Sequence, residues 1–292
     1  MKAKTKKNLI SYLMLSPVLV FFIIFVYYPI IMSAIGSFFD WTILGKFEFI
    51  GFNNYKELFQ SSLFRKSLSN TLYYVIFSVS ISTVLAFFLA FLLNRIPKFN
   101  SFFRTTYFVP VVTSLVAISI VWKWIFEPRV GILNYFLSLF NIPSKAWLLN
   151  EKLAMPSVIL MSIWKNTGFY MIIFLTGLKG ISRDYYEAAE IDGASTWQQI
   201  RFITLPLLTP ITFFVLTMNM LRAWQVFPEI FVMTQGGPVD ATRVVVFDIW
   251  EYAFQYLRLG YGSAASYVLF IIILVITFIQ NKAMKVKEYE GV

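Results

Sequence analysis

Six apolar runs recur along the chain at about residues 9–36, 69–93, 106–126, 156–178, 207–230 and 262–280, separated by segments where charge, proline and turn residues collect. Each run is near the ~20 residues a helix needs to cross the hydrocarbon core of a bilayer. The first follows Lys2, Lys4, Lys6 and Lys7 and carries no charge from Leu9 to Ile35. A cleaved leader has a shorter apolar stretch; this run is too long, so it reads as an uncleaved membrane helix. Pro17 and Pro29 fall within it, and membrane helices tolerate proline where neighbours satisfy the freed carbonyls. The pattern predicts an all-α, polytopic membrane protein with a basic tail over 1–8 and a single six-span domain over 9–292.

Composition supports lipid as the solvent. Charged residues are 14% of the chain and hydrophobic ones 58%, where a soluble domain carries about 25% charge. The net charge of +10 would ordinarily suggest nucleic acid, but the charges lie between apolar runs and not on one polar face, which excludes that partner. With the N-terminus inside, the inner segments 1–8, 94–105, 179–206 and 281–292 hold 13 Lys and Arg. The longer outer segments 37–68, 127–155 and 231–261 hold 9. The positive-inside rule therefore selects cytoplasmic termini. Trp41, Tyr55, Trp122, Trp124, Trp147 and Trp250 sit near the outer boundary, where aromatic rings anchor helices. The chain has no cysteine and no histidine, which removes disulfides, thiol nucleophiles, imidazole bases and nearly all zinc sites. No aspartate pair and no Ser–Lys arrangement at a convincing catalytic spacing falls within a run, so an intramembrane enzyme is disfavoured. No G-x-x-x-x-G-K-[ST] loop is present to cradle a nucleotide phosphate.

The inner segment from Tyr185 to Pro206 is the most informative stretch. Ser182-Arg183-Asp184 reads as a helix start with a capping hydroxyl and an early acid. A short helix over Tyr186–Ile191 is predicted to stop at Gly193, which accepts positive φ cheaply. A second begins near Ser195 or Thr196, and Leu205-Pro206 turns the chain into the fifth run. Two short surface helices of this kind can fit a groove on a soluble partner, with Glu187 available for a basic side chain and Ala188 and Ala189 permitting close approach.

Glu187-Ala188-Ala189, Gly193, Ile203 and Leu205-Pro206 resemble, at every spacing, the EAA loop of bacterial ABC importer permeases. The resemblance implies the type I ABC importer permease fold, with this loop as the coupling helix on an ATPase subunit. Glu187, Ala188, Ala189, Ile191, Asp192, Gly193, Ala194, Leu205 and Pro206 would form the docking element. Further motifs resemble the carbohydrate-uptake branch, the maltose and glycerol-3-phosphate type. They are Ser16-Pro17 with Tyr28-Pro29 and Ser37-Phe38, the run Phe49–Tyr55, Asn70-Thr71, and Thr234-Gln235-Gly236-Gly237-Pro238. They suggest the compact six-span first permease of such systems, without extra N-terminal spans. The resemblance implies a heterodimer with a second permease, two ATPase subunits and an extracytoplasmic solute-binding protein, set in the lipid of a bacterial or archaeal cytoplasmic membrane. This chain would bind no cofactor, ATP and Mg belonging to the ATPases. A permease for an amino acid, peptide or ion stands as the alternative.

Charges within a bilayer are functional candidates. Lys165 lies about a third of the way into the fourth run from outside, and Arg222 in the outer half of the fifth. Ser162, Lys165, Asn166 and Phe169 share one helix face; Asn219, Arg222, Ala223 and Val226 repeat the spacing. The two faces are expected to line one cavity at one depth. With Trp224 and Gln225 they supply the hydrogen-bonding groups and flat rings that a sugar requires. In the competing reading the two cations pair with Glu229 or a partner's acids, or snorkel outward, and Asn219 only joins helices.

Overall fold

The computed structural model describes residues 2–43, 45–96 and 100–284; Lys98, Lys285 and Lys287, which contribute to the inner charge, lie outside the described residues. The chain divides into two compact units. One holds the residues up to Ser62 with Asp248–Phe270, the other Leu63–Phe247 with the chain from Ile271.

In the first unit, helix α1 (Lys2–Phe22) passes through a π turn at Ile23–Tyr27 into α2 (Tyr28–Gly36). The rod is helical from Lys2, so the backbone of the expected basic tail continues the helix of the first run. Lysine is nearly as good a helix former as leucine. No residue from Tyr12 to Ile35 is buried. Its far end is tied to the last helix, α15 (Leu259–Met284): Ser33 Oγ donates to Ser263 Oγ at 3.1 Å and Tyr267 OH to the Ile30 carbonyl at 2.5 Å. Among the described residues the only paired strands are those of a hairpin, β1 (Phe39–Trp41) and β2 (Phe47–Phe49), antiparallel with Phe39 opposite Phe49. Strands of three residues are too short for alternation to register in a sequence. A Cβ on Gly260 would sit 2.1 Å from the Phe39 carbonyl oxygen, so only glycine lets α15 start against the hairpin. Helix α3 (Asn53–Gln60) clamps the same corner, with a fork of Arg258 on Glu57 at 2.7 and 2.6 Å. The guanidinium holds the Glu57 carboxyl below the usual carboxylate range.

The second unit is built around α8 (Ala154–Gly180), which packs against α5 (Asn100–Val112), α12 (Thr209–Trp224) and α13 (Pro228–Met233). Tyr170, Phe174 and Leu178 of α8 meet Ala86, Ala90 and Leu93 of α4 (Ser62–Asn94), and Leu208 and Val215 complete the cluster. Small residues at such seams let helices approach, which membrane packing requires. At Gly168 the approach is closer still: a Cβ would lie 1.8 Å from the Tyr107 carbonyl oxygen of α5.

Four helices, Tyr12–Gly36, Ser62–Asn94, Ala154–Gly180 and Leu259–Ala283, are long and apolar enough to cross a membrane. Two bent pairs raise this to six if each is one span: Ser101–Val112 with Leu115–Ile125, bent by 98°, and Thr196–Leu207 with Thr209–Trp224, bent by 69°. The third run, expected as one span, is thus α5 and α6 (Leu115–Ile125) joined at an extended Ser114, ψ 129°. The fifth run, expected to continue to Ile230, stops at Trp224 and restarts at Pro228. Phe227 precedes that proline, and a residue so placed is driven out of the helical region; its φ is −150°.

Candidate functional site

The segment after α8 folds into a bent corner under local signals. Ser182 Oγ accepts the Asp184 N–H at 3.3 Å and opens α9 (Arg183–Ile191). At its end Ala194 N–H reaches the Ala189 carbonyl at 2.8 Å and Gly193 N–H the Glu190 carbonyl at 3.0 Å, with Gly193 at φ +76°. This is a Schellman stop, the arrangement that satisfies the last helical carbonyls through a left-handed residue. A capping box of Ser195 and Gln198 opens α10 (Thr196–Gln199). A π turn at Ile200–Thr204 and α11 (Leu205–Leu207), which contains Pro206, lead to α12. Tyr186 OH and Thr204 Oγ1, 3.0 Å apart, tie α9 back to this turn. Gln199 and Thr204 are buried, Ala189, Ala194 and Pro206 half-buried. Glu187, Ala188, Asp192, Gly193 and Leu205 are exposed, and the outer face carries Ile191 at 88% and Trp197 at 67% exposure.

The second candidate region is a cavity of about 420 Å³ whose walls include Lys165, Asn166, Asn219, Arg222, Gln225 and Val226. Ala223, Tyr74 and Glu229 also line it. The faces of the fourth and fifth runs do meet in one space, but the side chains are engaged unequally. Lys165 Nζ donates to the carbonyls of Pro110 at 3.0 Å, Thr113 at 3.1 Å and Val111 at 3.3 Å. These are the orphan acceptors at the C-terminal end of α5, where the helix dipole also favours a cation. Asn219 Nδ2 donates to Ser82 Oγ at 2.8 Å, with Thr83 Oγ1 at 3.3 Å, and so joins α12 to α4. Neither Lys165 nor Arg222 forms an ion pair with Glu229 among the described residues. Instead Glu229 Oε1 accepts from Tyr74 OH at 3.0 Å, which also lies 2.6 Å from Ser162 Oγ. The Arg222 guanidinium stands 4.8 Å from the Phe169 ring centre. Asn166 donates to the Ser162 carbonyl at 3.0 Å and is half-buried. Gln225 is exposed. Phe169 stands behind Arg222 and Trp224 is buried in the packing, so neither ring forms a wall of the cavity.

Tyr74 was not singled out from sequence. The available signal was its place on the polar stripe of α4, in register with Thr71, Ser78 and Ser82, all buried. The motifs at the other end of the spans serve as loop staples. Asn70 Nδ2 donates to the carbonyls of Asp240 at 2.8 Å and Arg243 at 2.9 Å, and Thr71 Oγ1 accepts the Val245 N–H at 3.0 Å. Asn54 Nδ2 donates to the Ser37 and Phe39 carbonyls, each at 2.9 Å.

Comparison with known proteins agrees with this architecture. Residues 82–284 match the model of the binding-protein-dependent transport system inner membrane component family. The chain is 33% identical to the arabinooligosaccharides transport system permease protein AraP of Bacillus subtilis, over 98% of this chain and 91% of that one. It is 32% identical to the trehalose/maltose transport system permease protein MalF of Thermococcus litoralis, over 96% and 95% of the two chains. A chain of a bacterial alginate ABC transporter, solved in complex with an alginate pentasaccharide-bound periplasmic protein, superposes with a TM-score of 0.86 at 26% identity, covering 97% of this chain and 96% of that one. With most of its length matched in sequence and in fold, the chain belongs to the family of inner membrane components of binding-protein-dependent ABC transport systems, as a multi-pass permease.

Proposed function

We propose that the chain is one of two different permeases in a saccharide importer, forming half of the pathway and taking its drive from separate ATPase subunits through the corner α9–Gly193–α10. That corner carries the reading: ordered short helices present Ile191 and Trp197 outward while Gln199 and Thr204 hold their inner side. Exposed apolar side chains clustered on an ordered surface mark a docking site. With the corner in the cytoplasm both termini lie there too, on the more basic side. ATP and Mg would be held by the ATPases, and a solute-binding protein would meet the opposite loops. Closure of the ATPases would draw the corners together and rock the spans between two access states.

The substrate class rests on two supports. The relatives above are named for arabinooligosaccharides, for trehalose and maltose, and for alginate, all saccharides. The cavity also offers Asn166, Gln225 and Arg222, donors and acceptors suited to sugar hydroxyls. Uptake of a panel of labelled saccharides, amino acids and peptides by cells lacking the gene tests it. Loss of saccharide uptake is expected. Intact uptake of every saccharide with loss of another solute overturns the substrate class.

A further inference from the structure

A cavity of about 720 Å³ is lined in part by Tyr186, Glu190, Thr196 and Gln199 of the corner but not by Ile191 or Trp197, and the mechanism above makes no use of it. Four cations converge on it from four helix ends: Arg95 just beyond α4, Arg104 in the second turn of α5, Lys179 in the last turn of α8 and Arg183 at the start of α9. Glu190 is the one acid among its lining residues, and none of the four cations forms an ion pair among the described residues. The positive-inside rule asks for basic residues at these helix ends. It does not ask that they surround one concavity. The lining is also graded: Phe91, Leu178, Ile181 and Ile200 supply apolar surface, and Asn94, Ser101 and Gln199 add neutral hydrogen-bonding groups. Arg95 additionally lies over the Phe91 ring at 4.5 Å, which fixes its guanidinium near the cavity.

Cations with unused donors, hydroxyl and amide groups, and apolar surface together, at the ends of membrane helices, match a phosphate diester joined to an acyl glycerol. Guanidinium groups bind phosphate through two parallel hydrogen bonds, and basic pockets between spans on the cytoplasmic side hold anionic headgroups. We propose that this cavity binds the headgroup of an anionic phospholipid of the inner leaflet, so that lipid charge stiffens the corner that receives the ATPase. The shared chemistry is a phosphate anion. The lipid is favoured over a soluble phosphate because the apolar part of the lining would be idle against an inorganic ion. The proposal rests on the corner being cytoplasmic, as argued under Proposed function.

The test uses the intact importer in nanodiscs of phosphatidylcholine alone, or of phosphatidylcholine mixed with phosphatidylglycerol, with and without inorganic phosphate in the buffer. Retained lipid is counted by native mass spectrometry after release into detergent, and ATP hydrolysis is measured in the same discs. Phosphatidylglycerol should be retained in preference to phosphatidylcholine. Each charge removed in Arg95→Gln and Arg104→Gln should lower that retention about five-fold, while the Lys pair Arg95→Lys and Arg104→Lys keeps most of it and Lys152→Gln, before the opposite end of α8, leaves it unchanged. Competition by inorganic phosphate with no lipid preference overturns the lipid assignment. So does equal retention in wild type and the Gln variants, and so does loss of ATPase subunits from those variants without any retained lipid, which would mean that the ATPase itself fills the cavity. Crosslinks from position 191 to an ATPase subunit separate the two readings. If they form and no lipid is retained, the lipid site alone falls; if lipid is retained and they do not form, the docking role of the corner falls.

Discussion

Lys165 illustrates how one side chain can look like a transport residue and act as a brace. Its ammonium has three donors, and three backbone carbonyls at the end of α5 take them. Replacing it with methionine keeps the length and removes the charge, leaving those acceptors unpaired beside an apolar core. We expect Lys165→Met to destabilise the purified importer by on the order of 3 kcal/mol, seen as a lower thermal midpoint. Arg222 stands over the Phe169 ring with the Tyr170 hydroxyl beside it and has none of the backbone acceptors that hold Lys165, so Arg222→Met should cost no more than about 1 kcal/mol in stability and show its effect as a raised KM for transport. Equal thermal midpoints for the two variants would contradict this division. From sequence alone the two cations looked equivalent, since charge and depth were all that could be seen. What separates them is the broken helix facing Lys165, and hydropathy does not register a break in direction.

Among elements, the corner was the most legible because its determinants are local. Ser182, Gly193, Ser195 and Gln198 act within a few residues of themselves, and their hydroxyl, amide and left-handed backbone chemistry reads directly from their order. The bend within the third run and the break after Trp224 in the fifth were not legible: apolar content is the same for a straight span and a broken one. Only the proline at 228 hinted at the second. A Cβ at Gly193 would meet nothing within 4 Å, so the demand there is one of φ and not of space. Gly193→Ile should therefore cost about 1–2 kcal/mol of local backbone strain and loosen the turn into α10 without a steric clash. Substrate-stimulated ATP hydrolysis should fall several-fold while the permease still reaches the membrane. Unaltered stimulation in that variant would argue against the corner as the point of transmission.

On the scale of the molecule, the rod from Tyr12 to Gly36 sets a condition on how the protein is made. Lipid can solvate its apolar surface, and cohesion between membrane helices comes from close packing, not from escape from water. A rod that among the described residues buries none from Tyr12 to Ile35 and is tied by side-chain hydrogen bonds at Ile30 and Ser33 gains little of that cohesion. Newly made copies would therefore reach the membrane with one end adrift, open to the proteases that clear unassembled subunits. Pulse–chase labelling should show a shorter half-life for the chain synthesised alone than for the chain made with its companion subunits, and identical lifetimes would mean that the bilayer by itself is company enough. Stoichiometric synthesis of the subunits would then be a requirement imposed by the first thirty-six residues.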